Sequence, residues 1–191
     1  YEARYGEYPP ARILDENGVP MHSWRVLILP FIDEVKLYDK YRFSEPWNSP
    51  HNRKLAHRMP AVFRCPTKSE DSCLTSYLLG LDAMETLQRR SPDEVGLHEI
   101  VLLVEVNEQA VPWMAPIDTT AADFVVRRGI HTQTNHRYGW ITARADCSVM
   151  FEGDNTPPAE WMRLLGAALP DAIDAEAGSD SVSNATGAEN P

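Results

Sequence analysis

The chain has 191 residues, 43% of them hydrophobic, and a formal charge of −10, which suits one domain with or without a tail. Five acids and no base lie between Asp171 and Pro191, leaving −5 on residues 1–170. That balance argues against the basic footprint of a nucleic-acid binder and against a polybasic membrane patch.

In chain order, YEARYGEYPPAR reads as the end of a helix running into a proline-stopped loop. A longer helix and any export signal are therefore expected to precede Tyr1. The apolar run VLILPFI is stopped by Pro30 and Asp33 and is far shorter than a bilayer requires. A helix is expected over about Phe31 to Tyr41, with Asp33 and Glu34 in its first turn. Ser49 before Pro50 is a cap-and-proline pair that should open a short helix ending before Pro60. AVFRC and TSYLLG have strand character. Glu99 to Val106, EIVLLVEV, reads as a central strand because its apolar centre is continuous.

VPWMAPIDTTAADFVV begins as a loop and ends as a short helix. YGWITARA and SVMFEG form a hairpin whose turn lies around Arg144 to Cys147. A last helix starts at Pro157, capped by Asn155 or Thr156, and packs Trp161, Leu164 and Leu165. The expected fold is α+β, helices around an antiparallel sheet, occupying residues 1–170. Residues 171–191 form an acidic tail that buries too little to order itself.

Chemistry-bearing patterns are sparse. Cys65 and Cys73 flank the polar segment PTKSEDS. They read as a candidate disulfide, worth about 2–3 kcal/mol in an oxidising compartment, or else as two reduced thiols. Zinc is set aside because no second ligand pair lies nearby. Cys147 reads as a small buried residue in an apolar alternation. His131 and His136 with Asp146 offer metal donors, but their spacing misses a helical face, so a polar loop is the expectation. Calcium could draw on Glu85, Asp93, Glu94, Glu99, Asp146, Glu152 and Asp154, without the spacing of a calcium loop. No resident metal or cofactor is expected. Ser72, Ser76 and Ser148 have no recognisable base partner, so no catalytic residue is assigned. Trp24, Trp47 and Trp113 each sit in a proline-bearing context. They either pin irregular loops to the core or line a ligand groove.

Several phrases recur together and in order. They are His22-Ser23-Trp24-Arg25 with Leu29-Pro30, Glu45-Pro46-Trp47-Asn48-Ser49-Pro50 with Asn52, and Phe63-Arg64-Cys65-Pro66. Thr75-Ser76-Tyr77, Glu105 and Val111-Pro112-Trp113 with Pro116 and Asp118 follow, then Gly129, His131 and Asp146-Cys147-Ser148-Val149 with Phe151. The series, from Tyr1 to Phe151, resembles a large bacterial family of prepilin-like proteins of undefined function, sometimes labelled solute-binding-like. Cys147 stands where that family usually has glycine, and TQTNHRYGW replaces a glycine-rich stretch.

The resemblance implies a pilin-like architecture, with a long N-terminal helix laid on an antiparallel sheet. It implies export and an inner-membrane anchor, with the domain in the periplasm or at the cell surface. The partners it implies are other pilin-like subunits or surface proteins. It implies a non-enzymatic role in assembly or interaction, in a type IV pilus or type II secretion pseudopilus. The alternative is an extracellular module that binds a small molecule, glycan or peptide at Trp47, Asn52, Trp113 and Asp118.

Overall fold

Local backbone chemistry breaks the N-terminal half into short pieces. The computed structural model describes residues 1–68, 72–89, 96–106, 110–130, 136 and 138–167. Helix α1 (Glu2–Tyr5) stops at Gly6, which adopts the left-handed conformation. Strands β1 (Arg12–Leu14) and β2 (Pro20–Ser23) form a hairpin. The Asp15 carboxylate accepts from the amides of Asn17 and Val19 in its turn. Ser23 then caps α2 (Trp24–Leu27) by accepting from the Arg25 amide.

The single helix expected over Phe31 to Tyr41 is not formed. A 3₁₀ turn, Leu29–Phe31, and helix α3 (Val35–Tyr38) stand in its place. Asp33, with φ +62°, separates them, because a left-handed residue cannot continue a right-handed helix. After Pro50 comes a 3₁₀ helix, Asn52–Arg58, with Ser49 Oγ accepting from the Asn52 amide. AVFRC is also not a strand; Pro60 leads into a 3₁₀ turn, Ala61–Phe63.

The remaining elements are β3 (Leu74–Thr75), β4 (Tyr77–Leu79), α4 (Leu81–Arg89), β5 (Val101–Glu105), β6 (Val111–Pro112), α5 (Ala121–Ile130), β7 (Gly139–Arg144), β8 (Val149–Gly153) and α6 (Pro158–Leu164). Strands β3 and β6 pair alone, while the main antiparallel sheet runs β4-β5-β7-β8. The fold is thus mixed α/β with antiparallel sheets, and β5 lies inside the main one, as its unbroken apolar run implies. The sequence reading assigns no element to β1, β2, β6 or α4. Helix α4 buries Ala83, Met84 and Leu87, a one-sided stripe at helical spacing. No helix among the described residues is long and apolar enough to cross a membrane.

Both faces of β4 and β5 are covered. Leu79 faces a cluster built from Trp24, Leu29, Phe63, Met84 and Trp113. Leu78 and Val104 face Phe124, Trp140, Trp161 and Leu165. The rings of Phe124, Trp140 and Trp161 meet at centroid distances of 4.8–6.4 Å, within the range in which aromatic pairs attract. Helix α5 is capped by Thr120 Oγ1, which accepts from Asp123 N, and by Asp82, which accepts from Ala121 N at 2.7 Å. Helix α6 begins after Pro157 with no side-chain cap, so neither Asn155 nor Thr156 caps it. Beyond it Gly166, φ +74°, lies so close to α4 that a Cβ there would stand 2.9 Å from Ala83 Cα. Thr86 Oγ1 donates to the Gly166 carbonyl at 3.0 Å.

The N-terminal half meets the sheet through a buried ion pair. The Arg25 side chain is 0% exposed, and Nη2 donates to Asp118 Oδ1 at 2.8 Å. The same nitrogen donates to the Tyr77 carbonyl at 2.6 Å, and Nη1 donates to Ser23 Oγ at 3.0 Å. Asp118 Oδ1 also accepts from Leu79 N at 2.8 Å and Trp24 Nε1 at 3.2 Å. The guanidinium carbon lies 4.7 Å from the Trp24 ring centroid. Burial pushes the Asp118 carboxyl above its ordinary range, against the downward pull of Arg25 and of the Leu79 and Trp24 donors.

The β7–β8 hairpin forms as expected, with Cys147 in its turn at φ +68°. Cys147 is exposed, not buried, because the turn points it outward. Two outcomes follow for stability. Asp118→Ala leaves an uncompensated buried guanidinium and is expected to destabilise the domain by about 3–5 kcal/mol in a denaturant titration. Cys147→Gly relieves the left-handed cost and should raise stability by about 1 kcal/mol, measured the same way.

Candidate functional site

At one end of β5 three unlike donors converge. Glu105 is 2% exposed and lies directly opposite Tyr77 of β4 in the antiparallel register. Cys65, 1% exposed, follows the 3₁₀ turn Ala61–Phe63 and hydrogen-bonds Glu105 and Thr67 Oγ1. His136 pairs with Gly139 in an isolated bridge just before β7, and its Nε2 lies 3.0 Å from Glu105 Oε2. One ligand atom from each of Cys65, Glu105 and His136 lies within 4.8 Å of the others. Burial, then the hydrogen bond to Glu105, pushes the Cys65 thiol up. The Tyr77 phenol is pushed up to about 12, chiefly by burial and then by the Glu105 charge. Cys65 and Glu105 are 40 residues apart and Glu105 and His136 are 31 apart, so no local motif announces them.

A second feature is a cleft of about 480 Å³ lined by Trp47, Arg53, His57, Cys73, Trp113 and their neighbours. It brings together Trp47 and Trp113, two of the expected binding residues. Trp113 is nonetheless 1% exposed and donates through Nε1 to the Ala56 carbonyl at 2.9 Å, so it chiefly pins that loop. Trp24 likewise anchors, donating to Asp118.

Asn52 and Asp118 do not line the cleft. The Asn52 side-chain amide donates to the carbonyls of Arg42, Glu45 and Pro46, and its oxygen accepts from the Arg42 amide. Its place is thus the closure of the 42–46 loop, while that of Asp118 is the ion pair with Arg25.

The structure does not join Cys65 to Cys73; Cys65, Cys73 and Cys147 each stand unbridged in it. The two side chains turn to different partners, Cys65 to Glu105 and Thr67, Cys73 to His57 Nδ1 at 3.4 Å. His131, Asp93 and Glu94 lie outside the described residues. Asp146 accepts from the Ser148 amide and hydroxyl in the hairpin turn, away from His136's cluster. Glu85, Glu99 and Glu152 engage Arg89, Arg163 and Arg144, which gives those acids cationic partners.

A buried imidazole stands apart from both features. His22, 2% exposed, has Nε2 3.0 Å from the Phe43 carbonyl and Nδ1 2.8 Å from the Tyr41 hydroxyl. The carbonyl only accepts, so Nε2 carries the proton and Nδ1 accepts from Tyr41. Burial holds His22 below its ordinary value, opposed by the Phe43 carbonyl.

Fold and site together define a mixed α/β domain with an antiparallel sheet and a thiol–carboxylate–imidazole cluster, its thiol and carboxylate buried, at one end of β5. The family model described as a protein of unknown function (DUF1559) matches residues 1–98, about half of the chain, and the chain belongs to that family. The matched region includes Cys65 and Tyr77 and stops before Glu105 and His136. No curated protein and no solved structure matches the chain.

The His22 geometry fixes a pH dependence. Its folded value lies below the unfolded one, near about 6.5. The stabilisation is therefore full above that value and lost as pH falls through it. The difference in unfolding free energy between wild type and His22→Gln should shrink from about pH 7.5 to about pH 5.5. A difference independent of pH would count against a neutral buried imidazole.

Proposed function

We propose that this domain is the exported, non-enzymatic part of a pilin-like subunit, acting in assembly with other pilin-like subunits at the cell surface or in a secretion pseudopilus. The observation that carries the reading is strand β8. It closes one edge of the main sheet, yet Val149, Met150 and Phe151 are 66%, 45% and 50% exposed. Soluble proteins usually protect such an edge with lysine, proline or a bulge, and β8 (VMFEG) carries neither lysine nor proline. The neighbouring Tyr138, 62% exposed, extends the apolar surface. An occupant that supplies a strand or an apolar face fits this edge, and the resemblance of the ordered phrases to prepilin-like proteins supports a pilin-like subunit as that occupant.

A second reading, an extracellular binding module, is favoured by the cleft at Trp47 and Trp113. Its occupant would be a small planar or glycan ligand seated against the Trp47 ring.

The assembly reading predicts that the full-length protein, recovered from its own membranes, carries a processed and methylated N-terminus by mass spectrometry. It also predicts that Phe151→Lys lowers cross-linking to co-purifying pilin-like subunits at least about tenfold while the unfolding midpoint stays near wild type, since β8 is a half-exposed edge. A conventional signal-peptide cut with unchanged cross-linking would replace it with the binding module. Ligand screening on wild type and Trp47→Ala would then be the measurement to make.

A further inference from the structure

The cluster at the end of β5 is built differently from the other buried charge in this domain. At Asp118 the carboxylate is matched by a guanidinium and two further N–H donors. Around Glu105 the structure presents a thiol and an imidazole, with a phenol beside them. Sulfur, nitrogen and oxygen donors of this kind suit a borderline-soft divalent metal, zinc above all, rather than calcium or magnesium, which take oxygen alone.

The distances agree. Ligand atoms around a tetrahedral zinc stand roughly 3.3–3.6 Å apart, given bonds of about 2.0–2.3 Å. Here all three fall within 4.8 Å of one another, and His136 Nε2 stands 3.0 Å from Glu105 Oε2. Opening that pair by a few tenths of an ångström, with Cys65 drawn in from within the 4.8 Å bound, reaches the tetrahedral spacing. Neither shift requires β5 to move, because Cys65 and His136 both come from segments outside the sheet's strands.

A cysteine, a histidine and an acid also make up the nucleophile set of thiol enzymes. A working nucleophile is accessible and has a depressed thiol pKa. Cys65 is 1% exposed, so no substrate reaches its sulfur. Coordination needs no such activation, since the metal itself displaces the thiol proton.

We propose that Cys65 Sγ, a Glu105 carboxylate oxygen and a His136 ring nitrogen form a binding site for one zinc-like divalent cation per chain. On binding, the Cys65 S–H bond breaks, its proton passes to solvent, and a sulfur–metal bond forms with no change of oxidation state. Three protein ligands leave a fourth position for water or for a donor from a partner. His136, with a side chain 32% exposed, is the ligand nearest solvent and marks the entry side. The metal would join the 3₁₀ turn before Cys65, the inner strand and the segment entering β7 at one point.

Cobalt(II) titration of the full chain, prepared metal-free, tests this site. Cobalt bound by a thiolate shows a sulfur-to-metal charge-transfer band in the near ultraviolet. The expected result is that band, saturating at one equivalent. It should be absent in Cys65→Ser, weakened at least about tenfold in affinity in His136→Gln, and unchanged in Cys73→Ser and Cys147→Ser. Zinc should displace the cobalt and erase the band. Far-ultraviolet circular dichroism establishes that each variant is folded, and His136→Gln alone decides if Cys65→Ser is not. The absence of a band in wild type overturns the proposal. So does a band that survives His136→Gln at full affinity, or one that disappears with Cys73 instead of Cys65, which would place the metal at the Cys73–His57 pair.

Discussion

The Arg25–Asp118 ion pair is the constraint on which the rest of the architecture depends. An arginine with no exposed side-chain area is tolerable only if its charge and most of its donors are met, and the loss of water is otherwise severe. Meeting them requires four residues from three chain segments at once. Ser23 supplies a hydroxyl, Tyr77 and Ala115 supply carbonyls, and Asp118 supplies the charge. Asp118 in turn holds the Leu79 amide and the Trp24 indole. The short, irregular N-terminal pieces thus gain a fixed position against β4 that their own propensities do not provide.

That placement sets the geometry around Glu105. Tyr77 is held through its carbonyl by Arg25 and faces Glu105 across the β4–β5 ladder. Glu105 is therefore positioned from below by the sheet register, and Cys65 reaches it because Phe63 is stacked on Trp113 at 5.8 Å in the adjoining core. The cluster is a product of packing on the N-terminal side of the sheet together with a segment from the C-terminal half, which is why it spans the whole fold.

The elements legible in the sequence are those in which one physical signal dominates. The apolar run of β5 announces burial on both faces, and the alternation and turn of β7–β8 announce a hairpin. The errors lie where context outweighs propensity. AVFRC has β-branched and aromatic residues, yet Pro60 and the burial of Phe63 make it a 3₁₀ turn. The spacing from Phe31 to Tyr41 is helical, but the left-handed Asp33 divides it. At the site, tryptophans beside prolines draw the eye to Trp47 and Trp113, and those two do share a cleft. Asn52 and Asp118 are instead drawn into backbone closure and charge pairing, roles that no composition signal distinguishes from ligand binding. The Cys65–Glu105–His136 cluster escapes sequence reasoning because its members meet only after the strands are in register.

Gly166 shows how the two sides of the sheet are kept in step. Its α-carbon rests on Ala83 of α4, while α6 just before it places Trp161 in the aromatic stack with Phe124 and Trp140. Main chain against main chain leaves no soft side chain to absorb a shift. Any added bulk at this position must push α4 and the end of α6 apart, since a Cβ there would stand 2.9 Å from Ala83 Cα. One hydrogen atom on a glycine thereby sets the spacing between the helix on one side of the domain and the aromatic core on the other.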